Sequence, residues 1–187
     1  LLRTNSTTSA PPTHVPDERA VAVADPGPTV VVADERSDVD SPDVAIDVDR
    51  WARLALDVLV DSAAVGELTL TFIDRDDIAE LNAEHMGATG PTDVLSFPMD
   101  DEPVAGVPVL LGDVVVSPAV AAAQFAEHAG TLDDELALLV VHGVLHVLGH
   151  DHAEPDEAIV MRSRELALLE RFHWGEAAPV GFRQAHD

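Results

Sequence analysis

Apolar residues follow two periods along this chain. Where they alternate with polar ones they predict strands: "ELTLTFID" puts Leu68, Leu70 and Phe72 on one face, and the β-branched run "TVVVAD" opens the patterned region at Thr29. Where they recur every three or four residues they predict helices, as with Trp51, Leu54, Ala55 and Val58 in "DVDRWARLALDVLVDSA". "DRDDIAELNAEHMG" reads as a helix with acids in its first turn and Gly87 near its end. "ATGPTDVLSFPMD" passes from turn residues into a strand, and Pro98 confines that strand to an edge or a terminus. A further strand lies in "VPVLLGDVVVSP", after which Ser117 and Pro118 start a helix that Gly130 closes. Thr131 caps the next helix, with Asp134 at its third position, and this helix ends near Gly149. "EPDEAIVMRSRELALLERF" is a last amphipathic helix beginning at Pro155. Strands and helices alternate without a strict βαβ repeat, so the expected class is α+β.

The ends lack such patterning. Residues 1–28 are rich in Ser, Thr and Pro and are expected to be a disordered extension, and the chain from His173 onward reads as a loose terminus. Between them, residues 29–172 form one domain, which suits a chain of 187 residues that is 47% apolar. The longest apolar run, "LALLVVHGVLHVLG", is shorter than a membrane span and is interrupted by two histidines, so no membrane partner is expected. With no basic, apolar and cleavable leader at its start, the chain reads as soluble and cytoplasmic. It has no cysteine, which excludes a disulfide partner and leaves a bound metal only histidine nitrogen and carboxylate oxygen.

Charge changes the picture more. The formal net charge is −25, and residues 1–28 carry only −1 of it, with Asp17, Glu18 and Asp25 against Arg3 and Arg19. There is no lysine; all ten basic residues are arginines. Such a surface keeps a protein soluble and repels nucleic acid, because most non-specific affinity comes from neutralised phosphates. Salt adaptation and a compositional bias toward Ala, Asp and Arg fit it equally well. One candidate basic patch is Arg164 and Arg171, seven apart on the last helix, with Arg162 turned away.

The chemistry concentrates in "HGVLHVLGHDH", residues 142–152, which holds four of the nine histidines. His142 and His146, four apart, share one face of a helix. Gly149 lets the chain turn back, through a left-handed conformation if needed, and bring in His152. Three imidazoles leave a zinc ion an open position, the arrangement of a catalytic centre with one ion per chain. The spacing is that of zinc peptidases, yet Gly143 stands where their general base, a glutamate, belongs. Asp151 can support a ligand histidine from behind, cap the final helix or face solvent; His150 reads as a polar loop residue.

These residues carry a family resemblance. "HGVLHVLGHDH" resembles the H-G-x-L-H-x-x-G-x-D-H motif of the YbeY endoribonucleases, "GPTDVLSFP" resembles their P-T-[DN]-V-L-[SA]-F-P segment, and "LGDVVVSP" resembles their strand before the helix pair. The resemblance implies one central mixed β-sheet flanked by helices, with a zincin-like metal helix. It also implies zinc on His142, His146 and His152, and a cytoplasmic, single-strand-specific endoribonuclease in ribosomal RNA maturation and ribosome quality control. Many members carry an arginine where this chain has Met86, so that arginine's role does not transfer, and Met86 reads as a packing residue.

Without the glutamate, the base for hydrolysis or for attack by a ribose 2′-hydroxyl is expected to be Asp151, His85 or the metal's own water. Gly143 is expected to make room for a bulky phosphodiester. Thr92, Asp93 and Ser96 are candidate RNA-binding residues along a strand, whereas alternation turns Phe97 toward the core. A second reading from a different class is a zinc-bearing ribosome-assembly or docking factor with little catalysis, for which an acidic face suits basic ribosomal proteins.

Overall fold

Four strands form one mixed sheet in the computed structural model, which describes residues 27–37, 45–99 and 109–184. The expected N-terminal extension lies outside the described residues except for its last two positions. β1 (Thr29–Asp34), β2 (Glu67–Phe72) and β4 (Leu110–Val116) run parallel, and β3 (Val94–Pro98) closes the order β1-β2-β4-β3 as an antiparallel edge. Pro98 therefore sits on an edge strand, where its missing N–H costs no ladder bond.

Alternation distributes the side chains as the pattern predicts. Leu68, Leu70 and Phe72 of β2 are fully buried, together with Val114 and Val116 of β4, beneath α1 (Val48–Asp61) and α4 (Leu132–Val147). The opposite face carries a smaller cluster of Ile73, Leu95, Val115 and Val120, joined by Ile78 of α2 (Arg75–Leu81) and packed against Phe97. α3 (Pro118–Gln124) belongs to this side through Val120, and α5 (Pro155–Leu169) packs on the large cluster through Met161, Leu168 and Leu169. The class is thus the α+β fold expected, one mixed sheet flanked by helices. Among the described residues, no helix is long and apolar enough to cross a membrane.

Three elements differ from the sequence pattern. α3 stops at Gln124 instead of running to Gly130, because the following backbone turns to meet α4: the Ala129 N–H donates to the buried Glu135 carboxylate, and Gly130 N–H to Phe125 O. α2 continues into a π-helical turn, Asn82–Met86, ended by Gly87 in the left-handed region at φ 67°. The helix of α5 likewise extends through Glu170–Trp174, and beyond it Ala178, Phe182 and Gln184 are partly buried while Gly175–Ala177 and Pro179–Gly181 are exposed. His173 and Trp174 both hydrogen-bond Asp134 Oδ1, at 2.9 and 2.7 Å, and Phe182 stands edge-on to Trp174 at 4.8 Å.

Candidate metal centre

α4 is the most deeply buried helix, and its last two turns carry the first two histidines. Thr131 opens it as predicted, accepting from Asp134 N–H at 3.1 Å while its hydroxyl donates to the Asp134 carboxylate at 2.7 Å. It ends in a Schellman motif: Gly149 takes φ 85°, His150 N–H donates to Leu145 O at 3.0 Å, and Gly149 N–H to His146 O at 2.9 Å. No atom would obstruct a side chain at position 149, so the backbone conformation alone calls for glycine there. The turn folds the chain back and brings His152 beside His142 and His146.

The three imidazoles converge. Each offers a nitrogen within 4.8 Å of the others, and the Nε2 atoms of His142 and His146 are 3.1 Å apart. The ring centroids are separated by 4.5, 4.9 and 5.3 Å. Burial first, and then the neighbouring His142 and His152 rings, push the His146 pKa down to about 4, so this ring is neutral at pH 7 with a lone pair to give. Packing three imidazoles so closely suits a shared cation, and the donor set is all nitrogen. The residues present therefore fit a metal ion of zinc's preferences.

Behind His142 stands a group that the sequence reading missed. Glu165 of α5, 1% exposed, receives the His142 Nδ1–H at 2.7 Å, which fixes the ring and leaves Nε2 facing the other two histidines. The role considered for Asp151 thus falls to a carboxylate 23 residues from its partner in sequence, on another helix. Asp151 is exposed and accepts from the N–H groups of His152 at 2.7 Å and Ala153 at 3.2 Å, bonds that hold its carboxyl below the usual range.

A cavity of about 570 Å³ opens over the histidines, walled on one side by the β3 segment. Thr92, Asp93, Ser96 and Asp151 all line it, as does Met86, which is 54% exposed rather than packed. His150 also reaches the wall. His85 does not line it; its ring is edge-on to Phe97 at 5.0 Å. The polar groups of this wall are already engaged with the protein: Asp93 Oδ1, just before β3, accepts from Val94 N–H at 2.9 Å, and the Ser96 hydroxyl donates to Gly143 O at 3.2 Å.

Gly143 faces the sheet. A Cβ there would meet Val114 Cγ1 at 2.5 Å and Ser96 Oγ at 3.2 Å, so the missing side chain lets α4 lie against β3 and β4. The room it makes is for the protein's own strands, not for substrate as the sequence suggested. Nor do Arg164 and Arg171 form a free basic patch, because both pair with the Asp61 carboxylate of α1.

Comparison with known proteins agrees with this architecture. The family model described as Endoribonuclease YbeY matches residues 32–173. A protein named Endoribonuclease YbeY from Thermobifida fusca is 48% identical over 135 residues, covering 67% of this chain and 86% of that protein. Its namesake from Mycolicibacterium vanbaalenii is 43% identical over 152 residues, covering 77% and 80%. The solution structure of a Thermotoga maritima protein shares the fold, with a TM-score of 0.52 and 24% identity over 79% of this chain and 89% of that one. With its three histidines, its glycine at the peptidase-base position and a family match across all of its strands but the start of β1, the chain belongs to the YbeY endoribonuclease family.

Proposed function

We propose that this protein is a zinc-dependent, single-strand-specific endoribonuclease acting in the cytoplasm on ribosomal RNA, in its maturation and in ribosome quality control. The observation that carries the reading is the convergence of His142, His146 and His152 at a cavity walled by the β3 segment, in a chain of this family. Zinc held by three imidazoles would polarise a phosphoryl oxygen and lower the pKa of water at its open position. Thr92, Asp93 and Ser96 would contact the RNA along the cavity wall. Asp151 and His85 are the candidate bases. Asp151 lines the cavity and is ionised at neutral pH, and its two backbone bonds fix its direction while weakening its pull on a proton.

The β3 edge argues against a peptidase. Asp93 O accepts from Ser117 N–H and Met99 N–H donates to Leu111 O, so the residues between that point backbone outward are Val94, Ser96 and Pro98. The Val94 N–H is taken by Asp93 and Pro98 has none, which leaves Ser96 the only β3 residue with an N–H to offer. An extended peptide adding to this edge would find its ladder interrupted on both sides.

The test is incubation of the purified protein with labelled single-stranded RNA, with and without chelator, beside His146→Ala. Cleavage should vanish in both the chelated and the substituted samples. Asp151→Asn should lower kcat by about 10²–10⁴-fold if it is the base, and His85→Ala should do so instead if that role is His85's. Cleavage by the chelated protein would end the reading. The net charge of −25 favours one alternative, a zinc-bearing ribosome-assembly factor docking on basic ribosomal proteins. Capture of such a protein with no RNA cut in any sample would replace the enzyme with it.

A further inference from the structure

The geometry points to the C-terminal segment, residues 175–184, as a working part of the metal centre, with Gln184 a positioning residue for His142. The inference rests on the reading of His142, His146 and His152 as metal ligands. Gln184 Nε2 donates to Glu165 Oε2 at 2.8 Å and to Arg162 O at 2.7 Å, while Glu165 Oε1 takes the His142 Nδ1–H at 2.7 Å. One carboxylate thus has each oxygen on a different partner. Its rotation is fixed, and the plane and direction of the His142 ring follow from it.

The segment is built to deliver that amide. Gly175 ends the helix in the left-handed region at φ 71°, the Ala178 N–H donates to Glu170 Oε1 at 3.2 Å, and Phe182 closes a turn on Pro179 O at 3.1 Å. Phe182 packs on Trp174 and the main core, which leaves Gln184 to reach α5 at the level of Arg162 and Glu165. The chemistry of the amide also matters. A buried carboxylate needs hydrogen-bond donors, but a cationic one would cancel the charge that strengthens His142 as a ligand. The neutral carboxamide of Gln184 orients Glu165 without itself cancelling that charge.

The experiment is a double-substitution cycle read by zinc affinity, measured by competition with a chromophoric chelator, and by the absorption spectrum of the cobalt-loaded protein. Glu165→Gln should weaken zinc binding by roughly 10–100-fold, and Gln184→Met, of similar length but without the donor, by roughly tenfold. Because Gln184 acts through Glu165, Gln184→Met should add little in the Glu165→Gln background and should shift the cobalt spectrum only when Glu165 is present. Circular dichroism of the zinc-free variants checks that each folds. Unchanged zinc affinity in Gln184→Met, or full multiplication of the two effects, would overturn the inference. RNA cleavage at saturating zinc separates it from the proposed function: coupling without cleavage leaves this inference standing and removes the enzyme, and cleavage without coupling does the reverse. Absence of zinc binding in the unsubstituted protein would remove both.

Discussion

At the scale of single residues, Gly143 shows how a functional letter can have a packing cause. The peptidase spacing makes its missing carboxylate look like a loss of chemistry, yet a Cβ at this position would meet Val114 at 2.5 and 3.3 Å, closer than van der Waals contact. Gly143→Ala should therefore destabilise the fold by about 1–3 kcal/mol, the usual cost of overpacking. Urea unfolding measures this, and the double variant with Val114→Ala should lose less than the two single costs combined, since the added methyl then has a place to go. Equal additivity would mean that α4 can move away from the sheet freely. What was legible here was local: the four-and-six spacing of His142, His146 and His152 and the need for a left-handed Gly149 follow from helix geometry. Glu165 and Gln184 were not legible, because no periodicity links an acid on α5 or an amide fifteen residues past its end to a histidine on α4.

At the scale of elements, the start of α4 is tied to the end of the chain. Burial pushes the Asp134 carboxyl up, but bonds from Thr131, Trp174 and His173 together outweigh it and hold the group below its ordinary 3.8. An acid whose folded pKa is depressed stabilises the native state above its unfolded value, and that contribution is lost as pH falls from 3.8 through the lowered value. Asp134→Asn should accordingly cost about 1–2 kcal/mol at pH 7, with the gap closing in more acid solution. A gap in urea stability that stays constant from neutral pH to the acid limb would contradict the assignment. Strands and most helices could be read from alternation, capping residues and Gly stops, since those signals are local. The end of α3 could not, because Glu135 draws the backbone at Ala129 into a turn before the helical pattern runs out. The hold on His173 and Trp174 was hidden for the same reason, their anchor Asp134 lying 39 and 40 residues upstream.

At the scale of the whole molecule, the charge of −25 has little counterweight in the pair Arg164 and Arg171, which together with their shared partner Asp61 carry a net of only +1. A polyanionic substrate must approach against the field. Added salt shortens the reach of that field from about 30 Å at 0.01 M to about 8 Å at 0.15 M. RNA cleavage should therefore rise over this range before direct phosphate contacts weaken and bring it down. An ordinary basic nuclease loses activity throughout. A steady fall from the lowest salt, with metal content and circular dichroism unchanged, would show that the active face is locally basic after all.

The depth of α4 sets how the proposed metal centre would answer to losing an ion. From Asp134 to Leu145 every residue of that helix is buried, so the backbone that carries His142 lies under the sheet, α1 and α5 at once. Amide hydrogens there can exchange with solvent only through opening of the whole domain, not through local fraying. Removal of the proposed zinc should leave the exchange pattern of α4 ranked as before, slowest among the described residues, while the turn at His150–Ala153 exchanges faster. The free energy of metal capture would then go into binding rather than into folding the helix that presents the ligands.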